Sequence, residues 1–251
     1  MLISITEKCR MGCSHCMDDA RADSEKHMSM ETFKKALEFN FKYDQSIMIT
    51  GGEPTENPLF WDMMNELADY MHSSNFCVIM TNGMNLSNDD IPKIIALREK
   101  TKGAITWQVS SIRPYYPIHI DERLDIFKLP DFHICKKIEK LSPMGRAAQH
   151  QHWIFTSPAP GCFNVRSIVR STLDLTQSIH LLRKGLYFCT PQISFDGKIK
   201  VGESTLCPAV ASIYDDEKEI VKKIYSFTCN NKNCQEMFDK LPAKFKAAIG
   251  E

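Results

Sequence analysis

The stretch LISITEKCRMGCSHC, residues 2–16, is a short, partly β-branched run that leads directly into three closely spaced cysteines. The run over residues 2–6 predicts a strand, and Cys9, Cys13 and Cys16 follow it in a loop. Thiolates are soft ligands that suit zinc or iron–sulfur clusters. Three of them on one loop can hold one face of a four-iron cluster and leave one iron open to a small molecule. A zinc knuckle is the alternative interpretation.

Strand and helix patterns alternate along the chain. Patterns typical of strands cover residues 2–6, 46–50, 76–80, 104–110 and 132–135, with a hairpin over residues 192–201. Patterns typical of helices cover residues 29–41, 59–71, 85–99 (broken near Pro92), 171–184 and 216–225. This alternation predicts a parallel sheet with right-handed crossovers, in which ligands gather at the carboxyl ends of the strands.

The strand pattern over residues 46–50 runs straight into Gly51, Gly52, Glu53 and Pro54. Two glycines allow a ligand to approach the backbone closely. Glu53 offers a carboxylate to an ammonium group, and Pro54 stiffens the turn. A plain strand-to-helix turn is the alternative. The position of the motif, one strand after the cysteine loop, favours a binding site.

The C-x3-C-x2-C spacing and the Gly-Gly-Glu-Pro motif together resemble the signature of the radical S-adenosylmethionine (SAM) superfamily. The resemblance covers roughly residues 1–140. It implies that a [4Fe-4S] cluster on the three cysteines binds SAM and cleaves it to a 5′-deoxyadenosyl radical, which takes a hydrogen atom from a substrate. It further implies SAM-binding roles for seven residues: His15, Gly51, Gly52, Glu53, Pro54, Asn82 and Ser110. The family usually has an aromatic residue near the adenine where this chain has His15.

Composition narrows the classes of function. The chain has 251 residues, in which 31 lysines and arginines balance 31 aspartates and glutamates. Zero formal charge gives no electrostatic basis for binding nucleic acid or an anionic membrane. No run approaches the roughly 20 apolar residues of a transmembrane helix, and the start lacks the apolar stretch of a secretory signal. We therefore expect a cytoplasmic protein whose ten cysteines do not form a disulfide framework.

Four later cysteines form two pairs, Cys189 with Cys207 and Cys229 with Cys234. The first pair has a C-x12-G-x4-C arrangement, which resembles the opening of the SPASM and Twitch extensions of radical SAM maturases. With four thiolates, the resemblance implies a Twitch-like region that holds one auxiliary [4Fe-4S] cluster. The sequence PMGRA at residues 143–147 resembles a P-x-GRA stretch of such enzymes. A structural zinc site and inert buried cysteines are the alternatives.

The length is short for a complete eightfold barrel, which typically needs about 250 residues by itself. We expect an α/β fold, namely a partial (β/α)6 TIM-like barrel with a small C-terminal Twitch-like extension. The radical SAM core would span residues 1–160 and the extension residues 161–251, with the boundary between residues 142 and 185.

The resemblance predicts an oxidoreductase or maturase that acts on a peptide, a protein side chain or a small molecule. A glycyl-radical-enzyme activase is one alternative, and a non-catalytic iron–sulfur or zinc-binding protein is another. An electron carrier, however, does not need the Gly-Gly-Glu-Pro motif. Expected partners are the substrate and an electron donor such as flavodoxin or ferredoxin. Because Cys9 comes almost at once, we expect a leader peptide to bind either a separate peptide-recognition protein or another surface. The sequence identifies no catalytic acid or base.

Overall fold

The structure is a computed structural model that describes residues 1–43, 46–72, 74–111, 116–136, 146, 191–201 and 206–227. The strands in these parts are β1 (Leu2–Ser4), β2 (Ser46–Thr50), β3 (Phe76–Thr81), β4 (Ile105–Ser110), β5 (Phe132–Cys135), β6 (Pro191–Ile193), β7 (Lys198–Val201) and β8 (Ala209–Ser212). The α-helices are α1 (Met30–Tyr43), α2 (Phe60–Tyr70), α3 (Ile91–Thr101) and α4 (Glu217–Ser226). Short 3-10 helices cover Pro54–Glu56, Asn88–Asp90 and Asp125–Lys128.

The strands form one sheet in the order β5-β4-β3-β2-β1-β6-β7-β8. Strands β1 to β5 run parallel to their neighbours, and β6 pairs in parallel with the other side of β1. Only β7 and β8 add antiparallel pairs to this sheet of described strands. The predicted α/β class with a largely parallel sheet is confirmed. Because the carboxyl ends of parallel strands share one edge, the loops after β1 to β4 meet there.

One face of the sheet packs against α1, α2 and α3 and forms the main core. Alternate strand residues point to this face, among them Ile3 and Ile49. Trp107 of β4 is nearly fully buried and stacks on Phe132 of β5, with ring centroids 5.3 Å apart. Phe60 of α2 meets the Trp107 ring edge-on at 6.0 Å. The residues that alternate with these along each strand point to the opposite face of the sheet and take no part in this apolar packing.

We call that opposite side of the sheet the second face. Its residues alternate with the core residues along each strand. It carries Ser4 of β1, Thr50 of β2, Gln108 and Ser110 of β4 and Gln192 of β6. The second face is therefore much more polar than the core face, and it ends at the edge where the cysteine loop begins.

The helix predicted over residues 85–99 begins later than expected. Ser87 and Asp90 form a capping box around a short 3-10 turn, and α3 starts at Ile91. Pro92 lies in the first turn of α3, where a missing N–H leaves no bond unmade and the fixed φ suits the helix. The expectation that Pro92 breaks a helix is wrong, because here the proline helps to begin one.

The later part of the chain adds to the same sheet. The hairpin predicted over residues 192–201 is confirmed, since β6 and β7 are antiparallel and turn at Asp196 and Gly197, where Gly197 has φ +77°. Helix α4 packs Ile220 and Ile224 into the core. The predicted boundary region, residues 142–185, lies outside the described residues except for Arg146. No helix in the described parts is both long and apolar enough to cross a membrane.

Candidate functional site

The loop after β1 brings the three predicted cluster cysteines together. Cys9, Cys13 and Cys16 belong to one packed group, in which Cys9 and Cys13 are buried and Cys16 is half-buried. All three are free thiols. The loop is fixed at its start, because the Cys9 N–H donates to the Arg21 carbonyl oxygen at 2.9 Å. The sequence spacing alone predicted this grouping.

The three thiols have different acidities. The Cys13 thiol donates a hydrogen bond to Cys16, and the Ala20 N–H donates to Cys16 Sγ at 3.4 Å. These donors lower the pKa of Cys16 to about 6, whereas burial raises the pKa of Cys9 to about 11. Metals bind thiolates rather than thiols. Of the three, Cys16 is therefore the thiol whose surroundings most favour the thiolate form that binds metals.

The arrangement fits a cluster of several irons. Within the described residues, no three His, Cys, Asp or Glu side chains are placed to hold one metal ion. In a cubane cluster each cysteine binds a different iron, so the cysteine sulfur atoms line one pocket and do not converge on a single metal ion. Across the described ranges, no fourth cysteine packs with Cys9, Cys13 and Cys16. A four-iron cluster held here would keep one iron free for another ligand.

The two glycines after β2 accommodate the chain's own cysteine loop. The Gly52 N–H donates to Thr6 O at 2.7 Å, and the Glu53 N–H donates to Lys8 O at 2.8 Å. A Cβ on Gly51 would lie 2.7 Å from Thr6 O, and one on Gly52 would lie 2.7 Å from the Lys8 carbonyl carbon and closer still to its oxygen. Sequence reasoning predicted close approach of a ligand. The close approach in the structure is made by the segment that leads to Cys9.

Glu53 lies deep between the ends of β2 and β3. Its side chain is 1% exposed. Oε1 accepts hydrogen bonds from Thr55 Oγ1 (2.7 Å) and Thr81 Oγ1 (2.6 Å), and Oε2 accepts one from Asn82 N (2.7 Å). Burial raises the pKa of the Glu53 carboxyl, and these donors oppose that rise. Glu53 therefore joins two strand ends and keeps acceptor capacity on Oε2.

Pro54 begins the 3-10 helix that follows Glu53, and Glu53 is its N-cap. Proline suits this position, because its missing N–H would lack a helical partner there anyway. The buried Asn57 caps the other end and donates from Nδ2 to Ile5 O at 2.8 Å. Sequence reasoning did not find Asn57. Its bond ties the motif after β2 to the segment after β1 and so stiffens both halves of the site.

Asn82 lies directly against a cluster cysteine. Its Nδ2 is 3.7 Å from Cys9 Sγ and donates to it, while its Oδ1 accepts from Met84 N at 2.9 Å. The bond from Met84 fixes which end of the amide faces the sulfur. The sequence suggested a SAM contact for Asn82, and the structure gives its amide a bond to a ligand sulfur.

We expect the Asn82→Leu variant to hold a cluster of lower reduction potential. An N–H···S bond stabilises the more negative reduced cluster. A hydrogen bond worth about 1 kcal/mol corresponds to about 40 mV for one electron. An electrochemical titration of reconstituted protein without SAM, followed by electron paramagnetic resonance (EPR), measures the potential. Ser110→Ala is the control and should leave the potential unchanged. Equal potentials in Asn82→Leu and wild type would contradict the assignment.

Ser110, Tyr116 and His15 meet above the cysteine loop. Ser110 ends β4 and hydrogen-bonds the Tyr116 side chain, and burial raises the pKa of the Tyr116 hydroxyl. The Tyr116 ring lies 5.1 Å from the His15 ring, at 32° to it, and packs against the cysteine group. Ser110 and His15 were predicted as SAM-binding residues. Tyr116 was not predicted, because the sequence RPYY at residues 113–116 does not indicate which of its two tyrosines contacts the site.

Arg146 reaches the cysteine loop from far along the chain. Its Nε donates to Cys13 O at 2.9 Å, and its NH1 forms an ion pair with Asp19 at 2.7 Å. The guanidinium also donates to Ala20 O at 3.2 Å. The P-x-GRA resemblance was used as support for a Twitch-like region, and the structure brings this arginine to the loop that carries Cys13. A fork of donors suits such a carbonyl-lined loop.

Of the four later cysteines, the structure describes only Cys207, which is half-buried. Cys189, Cys229 and Cys234 lie outside the described residues. Leu206 lines a cavity of about 490 Å³ together with Gly52 and residues 18–21 of the cysteine loop. The segment that carries Cys207 therefore lies beside the first cluster loop.

A family profile described as the Radical SAM superfamily matches residues 3–128 of the chain. These residues include the cysteine loop and the motif after β2. Among curated proteins, none matches the sequence significantly.

Two solved structures are similar in fold. One is the crystal structure of BtrN in complex with AdoMet and 2-DOIA, with a TM-score of 0.51, 11% identity, and coverage of 98% of this chain and 88% of BtrN. The other is Streptococcus suis SuiB bound to S-adenosylmethionine, with a TM-score of 0.54, 13% identity, and coverage of 93% of this chain and 67% of SuiB. At these identities the likeness shows the fold alone, a partial-barrel α/β fold.

Proposed function

The chain belongs to the radical SAM superfamily, and on that premise we propose that it cleaves SAM reductively and abstracts hydrogen from a peptide or small-molecule substrate. The observation that carries the proposal is the packed trio of Cys9, Cys13 and Cys16, which no other cysteine of the described residues joins. When bound, a four-iron cluster supplies the electron that breaks a carbon–sulfur bond of SAM and yields the 5′-deoxyadenosyl radical.

The chain's own residues bind and orient the cofactors. Cys9, Cys13 and Cys16 hold the cluster, and Arg146 fixes the loop that carries Cys13. Glu53 positions the SAM ammonium group through Oε2, which accepts a single hydrogen bond from the described residues. The remaining SAM contacts that we propose come from the backbone of Gly51 and Gly52 and from Pro54, Asn82, Ser110 and His15. Cys9, Cys13, Glu53 and Asn82 are buried, which limits the access of water to the reacting centre.

The substrate is a peptide, protein side chain or small molecule, in a reaction of the oxidoreductase or maturase type. The two structural relatives differ in what they bind. BtrN was crystallised with 2-DOIA, and SuiB also with the precursor peptide SuiA. Similarity at this level shows a shared fold, and the proposal therefore keeps both substrate classes. A flavodoxin or ferredoxin would supply the electron, and a separate peptide-recognition protein would deliver a peptide substrate.

We further propose that Cys189, Cys207, Cys229 and Cys234 hold an auxiliary [4Fe-4S] cluster in a Twitch-like region of residues 161–251. Four thiolates are the usual ligand set for such a cluster. The position of Leu206 beside Gly52 supports the proposal, because it brings the Cys207 segment close to the first loop. Zinc on the same cysteines is the competing outcome.

Anaerobic reconstitution with iron and sulfide tests both proposals. We expect 5′-deoxyadenosine from SAM only when a reductant is present. Metal analysis should give roughly eight irons per chain with both clusters and roughly four with the first alone. Iron-loaded protein that forms no 5′-deoxyadenosine would contradict the proposed function. About four irons with one zinc would contradict the auxiliary cluster and leave the first proposal standing.

A further inference from the structure

Two buried polar side chains on the second face have no hydrogen-bond partner among the described residues. Ser4 of β1 and Gln192 of β6 are both 0% exposed, and within those residues Ser4 Oγ, Gln192 Oε1 and Gln192 Nε2 make no hydrogen bond. Native proteins pair nearly all buried polar groups, because an unmade bond leaves the loss of hydration uncompensated. An unpaired hydroxyl beside an unpaired amide therefore needs an explanation beyond folding.

Strand register separates the two side chains diagonally across β1 and β6. Gln192 pairs in register with Leu2. Ser4 lies two residues further along β1 and therefore points to the same face of the sheet. Strand spacing and rise put their Cα atoms roughly 8 Å apart. This diagonal separation explains why they do not bond to each other. It also suits a small group that bridges them.

The neighbours of this pair are already paired. Ser194 follows Gln192 on β6 and is equally buried, but its Oγ donates to Asp196 Oδ1 at 2.7 Å. Lys200, in register with Gln192 on β7, has an interaction of its own. An unpaired charge would be too costly to bury against a neutral hydroxyl and a neutral amide. A neutral group that both donates and accepts hydrogen bonds fits Ser4 and Gln192 best.

We propose that Ser4 and Gln192 form a binding site for a neutral hydrogen-bonding group of the substrate, either a carboxamide or a hydroxyl. Ser4 lies on the strand that leads to Cys9, and in parallel α/β folds ligands bind at the carboxyl ends of the strands. The assignment of the bound group to the substrate rests on the proposed function. The presence of the site does not, since it follows from the two unpaired side chains.

Paired variants test the site through stability. Ser4→Ala and Gln192→Met remove unpaired polar atoms with little change in shape. Each should raise the melting temperature of the SAM-free protein, by about 2–4 °C. Ser194→Ala is the matched control, because it removes a paired hydroxyl from an equally buried serine, and it should lower the melting temperature. Lower melting temperatures in both Ser4→Ala and Gln192→Met would overturn the proposal.

Ligand binding is tested by saturation-transfer NMR with two probes. N-acetylglycinamide represents the carboxamide and myo-inositol the hydroxyl. At least one should bind the wild type, and its affinity should fall about tenfold in Ser4→Ala and in Gln192→Met. The probe that binds shows whether the site takes a carboxamide or a hydroxyl. Binding of neither probe, or equal binding in the variants, would overturn the site. Either result can occur while the wild type still forms 5′-deoxyadenosine, so the proposed function is judged separately.

Discussion

Replacing Cys13 with alanine should abolish 5′-deoxyadenosine formation and lower the iron retained after reconstitution. Cys13 is one of the three proposed cluster ligands, and its hydrogen bond to Cys16 lowers the pKa of the Cys16 thiol. The variant loses one ligand and raises the pKa of a second. Iron analysis, visible absorption and a SAM-cleavage assay under anaerobic conditions measure the result. We expect turnover below detection.

Cys77→Ala is the matched control for the loss of a thiol. Cys77 lies in the core beneath the sheet, where burial raises its pKa and makes it inert. Its removal should lower stability by about 1 kcal/mol through the cavity left behind, with iron content and turnover as in wild type. Wild-type turnover in Cys13→Ala, or loss of iron in both variants alike, would contradict the cluster assignment.

Gly52→Ala should destabilise the protein and the cysteine loop together. A Cβ on Gly52 would meet three backbone atoms of Glu7 and Lys8, none of which can move alone. The chain that enters Cys9 must shift, and the bond between Glu53 N and Lys8 O must lengthen. Overpacking against rigid backbone commonly lowers the free energy of unfolding by about 3 kcal/mol. Thermal unfolding of the iron-free protein and iron content after reconstitution both report the change.

Gly103→Ala is the control for Gly52→Ala, because it introduces backbone strain without a close contact. Gly103 has φ +78° but no atom within 4 Å of an added Cβ, so its substitution introduces strain of about 1–2 kcal/mol without a clash. It lies after α3, away from the cysteine loop, and should not change iron content. If Gly52→Ala proved no less stable than Gly103→Ala and held as much iron, the contact between the two motifs would be refuted.

Local patterns in the sequence predicted much of the fold and the grouping of the three loop cysteines. The buried runs that became β2, β3 and β4 are short, apolar and bounded by turn residues, so their pattern survives without tertiary information. Cys9, Cys13 and Cys16 lie within eight residues of each other, and their spacing alone limits them to one loop. The local pattern also led to the wrong prediction that a helix breaks near Pro92. The capping box that precedes α3 depends on how Ser87 and Asp90 fold, which the pattern does not show.

Long-range contacts could not be predicted from the sequence. The bond from Asn82 to Cys9 and the three contacts of Arg146 join residues that are far apart in the chain. They exist because parallel strands bring their ends to one edge of the sheet. The unpaired atoms of Ser4 and Gln192 are equally invisible in a sequence. Whether a buried polar group has a partner is decided by packing and not by residue type.

The central claim is that three protein thiolates leave one iron of a cluster open for SAM. EPR of the reduced, reconstituted protein with and without SAM tests it most directly. Binding of SAM to the open iron should change the g-values of the reduced cluster in the wild type. A reduced cluster whose spectrum is the same with and without saturating SAM would contradict the claim, as would zinc bound to Cys9, Cys13 and Cys16.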